Sequence, residues 1–415
     1  MPNHYQILII GGGTGGIMTA AQLIKQKELT DIAIIEPADT HYYQPAWTLV
    51  GAGTYNYART ARPMGSVIPG KTAWIQDRAT GFDPENNTVH TGSSGDITYD
   101  YLVVAPGLAY DFSLVPGLGD AIDKGVVCSV YTDPEHTWRV IKNFQGGTAL
   151  FTQPTTPIKC GGAPQKIMYL AESHWANEGM RDRVEVVFAT SGTIIFGIKQ
   201  IAKTLMEVVD RKDINLRFGY QLTRVDGPNR IAWYRFADHM KEYNHKDVRT
   251  ETDGDLTGIH YDMLHTAPPS VAPAFVRSSS LANAKGWVDV DKHTLQHTRY
   301  TNVFSLGDVA GVPTAKTGAA IRKQVPVIVD NLHRLIQHER MGNMSYNGYS
   351  SCPLVTDYGQ MVLAEFDYDN NFTPDPKLKQ MLIKDSSKEH FRLWLLKKYM
   401  LPYMYWNQML KGQEV

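Results

Sequence analysis

Three cysteines, Cys128, Cys160 and Cys352, are the residues of this chain best suited to redox or covalent chemistry. They lie far apart, without the short paired spacing of a zinc site or of an extracellular disulfide framework. Cys160 stands just before a predicted helix, whose positive end, together with Lys159 or Lys166, would lower the pKa of the thiol. The alternative is that an isolated free cysteine is a small buried hydrophobic residue, and Cys128, in a strand-like apolar run, fits that alternative well.

A glycine-rich turn near the amino terminus predicts dinucleotide binding. Gly11, Gly13 and Gly16 have the GxGxxG spacing, Gly15 lies between the last two, and acidic Glu36 follows about twenty residues later. The turn joins a predicted strand to a predicted helix, so the pyrophosphate would lie at the positive helix end. Glu36 would accept hydrogen bonds from the ribose hydroxyls. This fingerprint by itself does not distinguish FAD from NAD.

Strand and helix signals alternate along the chain and predict an α/β fold with two Rossmann-like units. The sequence predicts strands at 5–10, 31–36, 99–105, 184–190 and 360–366, and helices at 17–25 and from about residue 317. We expect a first dinucleotide-binding domain at 1–110 and 300–345, a second Rossmann-like domain at 111–299, and a C-terminal region at 346–415.

Two segments, one ending at Gly107 and one ending at Asp308, resemble motifs of the two-dinucleotide-domain flavoprotein disulfide reductases. Pro106 stands where threonine is commoner in that family. The resemblance implies that the first domain binds FAD, with contacts from Ala105, Gly107, Gly307 and Asp308.

Pro45 and Lys316 are further candidates for contacts with the flavin. Pro45 occupies the position at which relatives cover the isoalloxazine. Lys316 could place positive charge near the N1 and O2 edge and stabilise anionic reduced FAD. The alternative for Lys316 is a solvated lysine at a helix start.

The second domain lacks a complete glycine-rich loop. The turn after its strand at 184–190 carries only Gly192 and Gly197, whereas NADH-dependent relatives normally keep GxGxxG there. We therefore expect this domain to act as a scaffold, with electrons that come from a donor other than NADH.

The segments around two of the cysteines have a more specific resemblance. Residues 159–166, KCGGAPQK, resemble the segment around the first active cysteine of the sulfide:quinone oxidoreductases, and residues 351–353, SCP, resemble the second. The resemblance implies that Cys160 and Cys352 meet at the flavin and pass electrons from sulfide to a quinone, either ubiquinone or menaquinone. Some members have a third cysteine linked to flavin attachment or sulfur handling, so we assign Cys128 an auxiliary role.

This resemblance leads to a chemical hypothesis. Hydrosulfide would attack a disulfide between Cys160 and Cys352, or a sulfur-extended bridge, giving a persulfide and a free thiolate. The thiolate would attack flavin C4a, and collapse of that adduct would leave reduced FAD and rebuild the bridge. The sequence leaves open which cysteine carries the persulfide.

The aromatic stretch at residues 391–410 predicts attachment to a membrane surface. Arg392, Lys397, Lys398 and Pro402 interrupt it, so no run approaches the ~18 apolar residues of a spanning helix. We expect two short amphipathic helices that meet at Pro402, with aromatic rings at headgroup level and lysines that reach phosphates. The alternative is an oligomer interface or packing on the protein's own core.

The family resemblance also bears on the quinone and on location. In the resembled family such helices admit the quinone, and Phe366 and Phe391 are our candidates for stacking on its ring. The first strand begins too early to leave room for a cleavable signal peptide. We expect a peripheral protein on the cytoplasmic membrane that forms a homo-oligomer.

Composition excludes some classes of function. The 415 residues carry 41 basic and 42 acidic side chains, and a net charge of −1 provides no global field that would attract nucleic acid. The histidines show no metal-ligand spacing, so we expect no metal. Two alternatives stay open: a type II NADH:quinone oxidoreductase, and a flavin-holding redox sensor whose cysteines signal without turnover. A flavocytochrome-type sulfide dehydrogenase would need export and a haem partner, which nothing in the sequence suggests.

Overall fold

A seven-stranded sheet organises the amino-terminal part of the computed structural model, which describes residues 3–26, 31–237, 247–338 and 340–413. Its central strand His4–Ile10 is an apolar run that is buried from Ile7 onward, and the helix Thr14–Lys25 follows directly. In spatial order the strands are Ala73–Ile75, Ile32–Ile35, His4–Ile10, Asp96–Val104, Thr88–Thr91 and Ala79–Asp83, and Val303–Ser305 also pairs with Asp96–Val104.

The parallel strands of this sheet bring distant motifs to one edge. Val303–Ser305 runs parallel to residues 102–104, so the segment that ends in Asp308 lies beside the end of Asp96–Val104, the strand next to His4–Ile10. Residues 272–290 also pack on this sheet, since Val276 and Val288 share a core with its strands. In packing, these residues therefore join the first unit and not the second, in which the predicted boundary had placed them.

A second, five-stranded sheet is parallel throughout, and a four-stranded antiparallel sheet adjoins it. The parallel strands in spatial order are Val127–Cys128, Met263–Thr266, Gly147–Gln153, Val184–Thr190 and Asn215–Phe218. The antiparallel strands are Tyr220–Asp226, Ile231–Phe236, Leu256–His260 and Thr250–Asp253. The predicted α/β class with two Rossmann-like units is confirmed.

Two elements hold the segments around Cys160 and Cys352. The helix Ala163–Asn177, here called the cysteine helix, packs against the first strand of the hairpin formed by Ser350–Asp357 and Gln360–Phe366. The remaining strands are Thr40–Tyr42 with Ala61–Pro63, and Ala109–Tyr110 with Ser270–Val271. The remaining α-helices are Trp47–Val50, Leu118–Ala121, Pro134–Asn143, Lys199–Arg211, Ala274–Arg277, Gly318–His338, Phe391–Leu395 and Leu401–Asn407.

The C-terminal segment, residues 391–413, differs from the sequence prediction of two helices that meet at Pro402. Helical structure is continuous from Phe391 to Asn407, because a π-helical turn, Leu396–Met400, connects the two α-helices. Pro402 falls in the first turn of the second α-helix, where its missing N–H matters least. Among the described residues, no helix is both long and apolar enough to cross a membrane.

A buried ion pair ties the cysteine helix to its surroundings. Lys212 Nζ lies 2.6 Å from a carboxylate oxygen of Glu172 on the cysteine helix and 3.2 Å from Asp357 at the end of the hairpin strand. Arg181 approaches the other oxygen of Glu172 at 3.3 Å. Glu172 is thus the centre of a buried ion-pair network.

We expect the substitution Lys212→Met to lower the free energy of unfolding by about 3 kcal/mol, because it leaves a buried carboxylate short of its cation. Urea denaturation followed by circular dichroism measures the change. Lys388→Met is the matched control, since Lys388 and Glu207 form an exposed pair at 3.7 Å whose loss should cost under about 1 kcal/mol. Equal effects from the two substitutions would contradict this interpretation.

Candidate active site

Cys160 and Cys352, which are 192 positions apart in the sequence, meet in the structure. Their sulfur atoms lie 3.6 Å apart and both residues are free thiols. Gly162, just before the cysteine helix, allows this approach, because a Cβ there would lie 2.8 Å from the sulfur of Cys352. The structure therefore places the two sulfurs next to each other.

Cys160 adopts a backbone conformation that is unusual for a side-chain-bearing residue, with a φ of 50°. Two backbone hydrogen bonds hold it: its N–H donates to the carbonyl of Lys316 at 2.8 Å, and its carbonyl accepts from Ala163 at 2.8 Å. The loop that contains Lys316 thus fixes the position of Cys160. Backbone strain of this kind clusters at functional sites.

Lys166 is the charge that acts on the cysteine pair. Its Nζ lies 2.9 Å from the sulfur of Cys160, and the side chain is buried on the first turn of the cysteine helix. A hydrogen bond from Cys352 and the Lys166 ammonium hold the pKa of Cys160 well below its usual range, although burial opposes them. Its hydrogen bond to Cys160, together with burial, raises the pKa of Cys352. The site therefore stabilises one thiolate, at Cys160.

Of the two lysines that the sequence offered, only Lys166 serves the thiol. Lys159 instead donates to the side chain of Gln44 at 2.9 Å. Burial opposes the charge of Lys166, but the neighbouring Cys160 and Cys352 raise the pKa of its ammonium. Lys166 is therefore held as a cation in a buried site by the thiolate that it stabilises.

Lys397 is a second buried lysine at this site, so the prediction that it reaches lipid phosphates is wrong. It is 3% exposed and lies in the π-helical turn, where its Nζ donates to the carbonyl of Pro45 at 2.7 Å. Burial and the charge of Lys166 lower the pKa of Lys397 to about 7. The only sequence signal was its position in an apolar run, which also fits a surface lysine.

The glycine turn has the close packing that a dinucleotide site needs. Gly11 has a φ of 102°, and a Cβ there would overlap the carbonyl of Ala105. A Cβ at Gly16 would overlap the carbonyl of Gly11. Gly13 is exposed with nothing within 4 Å of its Cβ position, so its backbone is open to a phosphate.

The other predicted flavin residues lie at the same sheet edge. Ala105 N–H donates to the carbonyl of Ile10 at 2.8 Å, and Gly107 and Gly307 have φ values of 76° and 73°. Residues 303–305 pair with residues 102–104, so Asp308 follows beside this edge. The carboxyl ends of parallel strands are the usual place for a dinucleotide. These residues fit FAD.

Glu36 and Lys316 have polar partners within the protein. The carboxylate of Glu36 accepts from the backbone N–H groups of Gly12 at 2.7 Å and Ala38 at 2.8 Å. Lys316 Nζ donates to the carbonyl of Asp308 and lies 3.8 Å from the ring centroid of Trp287. The Lys316 ammonium thus lies beside the Asp308 segment, and burial there lowers its pKa to about 8.

Three predicted site residues lie outside the cysteine pair and apart from one another. Cys128 is fully buried on a two-residue strand, and burial raises the pKa of its thiol. Phe366 is two residues from Ala364, the pairing partner of Cys352, whereas Phe391 packs over Gly359 at the opposite end of the strand. That strand is seven residues long, roughly 20 Å between its ends. The structure does not bring Phe366 and Phe391 together around one ring.

Comparisons with known proteins identify the family that this chain resembles. Residues 5–145 match the pyridine nucleotide-disulphide oxidoreductase family. The chain is 39% identical to the mitochondrial sulfide:quinone oxidoreductase of Mus musculus, over 99% of this chain and 87% of that protein. It is 40% identical to the mitochondrial sulfide:quinone oxidoreductase of Dictyostelium discoideum, over 100% of this chain and 87% of that protein. The solved structure of the Aquifex aeolicus sulfide:quinone oxidoreductase has a TM-score of 0.79 at 20% identity, covering 99% of this chain and 92% of that one.

The two Rossmann-like sheets and the neighbouring thiols define an oxidoreductase of the pyridine nucleotide-disulphide type. The full-length similarity narrows this class: the chain belongs to the sulfide:quinone oxidoreductase family. It is therefore an enzyme, and the family implies a flavin cofactor.

We expect Lys166→Met to raise the pKa of Cys160 by on the order of 1–3 units, because the part-buried thiolate loses its cation. The measurement is the pH dependence of iodoacetamide alkylation of Cys160 in the reduced protein, quantified by peptide mass spectrometry. Lys159→Met is the matched control, since Lys159 is directed at Gln44 and should leave the profile unchanged. An unaltered profile in Lys166→Met would contradict the assignment.

Proposed function

We propose that this enzyme oxidises hydrogen sulfide to sulfane sulfur and reduces a membrane quinone, by way of FAD and the pair Cys160 and Cys352. The observation that carries the proposal is the 3.6 Å approach of two thiols beside the Lys166 ammonium. Two-electron oxidation of sulfide needs a pair of sulfurs that can bind the product covalently. The names of the relatives from Mus musculus and Dictyostelium discoideum support the same substrates.

FAD would lie across the carboxyl edge of the first sheet. Gly11, Gly13, Gly15 and Gly16 form the turn for its pyrophosphate, and Glu36 would turn to its ribose. The remaining proposed contacts are Pro45, Ala105, Gly107, Gly307, Asp308 and Lys316. When bound, FAD supplies the acceptor for two electrons, at the C4a carbon. Cys160 is the group that would donate these electrons. Its backbone N–H is hydrogen-bonded to the loop that contains Lys316, one of the proposed flavin contacts.

The Lys166 ammonium, 2.9 Å from the sulfur of Cys160, supports an assignment of roles that the sequence left open. When hydrosulfide attacks a disulfide, the S–S bond breaks and the sulfur with the lower pKa leaves faster. The pKa of Cys160 is lowered and that of Cys352 is raised. Hydrosulfide therefore attacks the sulfur of Cys352, which becomes the persulfide, and the electron pair of the broken bond remains on Cys160 as thiolate.

The spacing of the sulfurs also accommodates a sulfur-extended bridge. Two S–S bonds of about 2.05 Å that share one bridging sulfur span roughly the distance between the sulfurs of Cys160 and Cys352. The same cysteine positions can therefore hold product sulfur with little movement. Cys128, buried in the core, has an auxiliary role in this proposal.

Lys166 and Lys397 hold positive charge around the reacting sulfurs. An anionic substrate and a thiolate are both stabilised by nearby ammonium groups in a buried site. Because the pKa of Lys397 is about 7, its charge is lost as the pH rises through neutrality, whereas the raised pKa of Lys166 keeps that ammonium. Lys397 can thus hold or release a proton near Pro45 during turnover.

The geometry of the second domain disfavours the NADH-dependent alternative. Eight residues lie between the strand Val184–Thr190 and the helix Lys199–Arg211. A nicotinamide site needs a tight turn that presents the helix end to the pyrophosphate. Here residues 191–198 form a longer loop, and a Cβ at Gly192 or Gly197 would meet nothing closer than 3.4 Å.

We propose that the C-terminal segment attaches the enzyme to a membrane and admits the quinone. Phe391, Tyr399, Met400 and Tyr403 are 53%, 58%, 48% and 62% exposed, which is unusual for large apolar or aromatic side chains. Lys398 lies 4.6 Å from the ring centroid of Trp394 beside them, an arrangement typical of a membrane interface.

The quinone and the assembly state complete the proposal. Phe391, which is exposed, would meet a quinone at the membrane surface, whereas Phe366, on the strand beside Cys352, would act nearer the thiols. We retain the homo-oligomer and the attachment to a cytoplasmic membrane that were predicted from the sequence. Light scattering in detergent measures the oligomeric state.

Anaerobic stopped-flow absorbance tests the proposed reaction. Sulfide should bleach the flavin of the wild type and a soluble quinone should restore its colour. Cys160→Ala and Cys352→Ala should each slow bleaching by more than about a thousandfold, because each removes a bond-forming sulfur. Cys128→Ala is the matched control and should bleach at a rate near that of the wild type. Bleaching by NADH but not by sulfide would favour the type II NADH:quinone oxidoreductase, and a single bleaching without quinone-dependent cycling would favour the redox sensor.

Sedimentation with phospholipid vesicles tests membrane attachment. Replacing both Tyr399 and Tyr403 by Ser should weaken vesicle binding by roughly tenfold or more, because two apolar rings no longer enter the interface. Leu114→Ser is the control, since Leu114 is 51% exposed but lies outside the C-terminal segment. Binding that is equally strong in the double variant would count against this face as the attachment surface.

A further inference from the structure

A buried hydrogen-bond chain joins the C-terminal segment to the dinucleotide turn. His41 Nδ1 lies 3.0 Å from the carbonyl of Gly12, and its Nε2 lies 2.6 Å from the hydroxyl of Tyr405. That hydroxyl lies 2.7 Å from the hydroxyl of Thr14, the first residue of the helix Thr14–Lys25. Gly12 and Thr14 flank Gly13, so the chain meets the turn on both sides of its exposed glycine.

The chemistry of these groups fixes the direction of each bond. A carbonyl can only accept, so His41 Nδ1 carries the proton that it donates to Gly12. Burial lowers the pKa of His41, and the neutral ring then accepts at Nε2 from the Tyr405 hydroxyl. Thr14 donates in turn to the oxygen of Tyr405. All members are satisfied in this arrangement. Removal of the Tyr405 hydroxyl would leave the buried Nε2 of His41 and the part-buried hydroxyl of Thr14 without this partner.

The rest of the C-terminal segment continues along the same helix. Leu410 packs in a cluster with Ile17, in the first turn of the helix. The carbonyl of Gly412 accepts from Lys25 Nζ at 2.7 Å, and a Cβ at Gly412 would lie 2.8 Å from the backbone of Ala21. We call Tyr405, Leu410 and Gly412 the tail latch. It covers the helix from its first residue to its last.

We propose that the tail latch positions the dinucleotide turn, so that the turn is held ready for FAD only while the C-terminal segment is docked on the helix. Tyr405 and His41 are then positioning residues that act on the flavin through Gly12 and Thr14. The inference rests on the proposed function for the identity of the dinucleotide. Opposite faces of one segment thereby serve two tasks, since Tyr399 and Tyr403 are exposed while Tyr405 is 4% exposed.

Two readouts test the latch. In the apoprotein, Tyr405→Phe should speed hydrogen exchange of amides in residues 11–17 by about tenfold, because the turn loses a buried hydrogen bond. In the FAD-loaded protein, the Kd for FAD, measured by flavin fluorescence, should rise by a similar factor. Tyr403→Phe is the matched control, since it removes a hydroxyl from the exposed face of the same helix.

A double-mutant cycle separates the latch from general destabilisation. Thr14→Val removes the partner hydroxyl, so the effect of Tyr405→Phe should be smaller in that background than in the wild type. Full additivity of the two substitutions, or exchange of residues 11–17 that Tyr405→Phe leaves unchanged, would overturn the proposal. If Tyr405→Phe speeds exchange as expected but the wild type does not bind FAD, the proposed cofactor is refuted and the latch remains supported.

Discussion

The contact between the Cys160 sulfur and the Lys166 ammonium, at 2.9 Å inside the protein, is the interaction on which the rest of the site depends. A buried charge without a partner is costly, and here each of the two charges is the partner of the other. Their separation by six residues is set by the loop and first turn of the cysteine helix. The sulfur of Cys352 can approach Cys160 because Gly162 lacks a side chain.

Several lysines lie close to the charged cysteine site, and burial affects their protonation. Lys159, Lys316 and Lys397 all have lowered pKa values, chiefly because burial removes water from their ammonium groups. Such lysines lose or keep a proton according to the charge of their neighbours. A site of this kind suits chemistry in which thiolates form and disappear, because the protein can respond by proton exchange within the site.

The C-terminal segment connects this chemistry to the surface. Lys397 turns inward and reaches Pro45, while Tyr399 and Tyr403 stay exposed. The π-helical turn between Leu396 and Met400 separates these two sets of side chains, because it rotates the residues that follow it around the helix axis. One short segment therefore contacts the cysteine site, the dinucleotide helix and the solvent.

The sequence by itself determined the elements whose signals are local. The strands at 184–190 and 360–366, the helix after Cys160 and the turn at Gly11 follow from patterns within a few residues, because side-chain periodicity and glycine spacing act at that range. The family resemblance paired Cys160 with Cys352, but the residues alone left a buried inert thiol as an open alternative.

Only the tertiary structure decided which lysine faces the thiol, that Lys397 is buried, and that Phe366 and Phe391 lie apart. The chain from Thr14 through Tyr405 to His41 was equally out of reach, since its members are up to 391 positions apart and meet through the docking of one helix on another. Such contacts depend on the order of strands and the packing of helices, which no local pattern encodes.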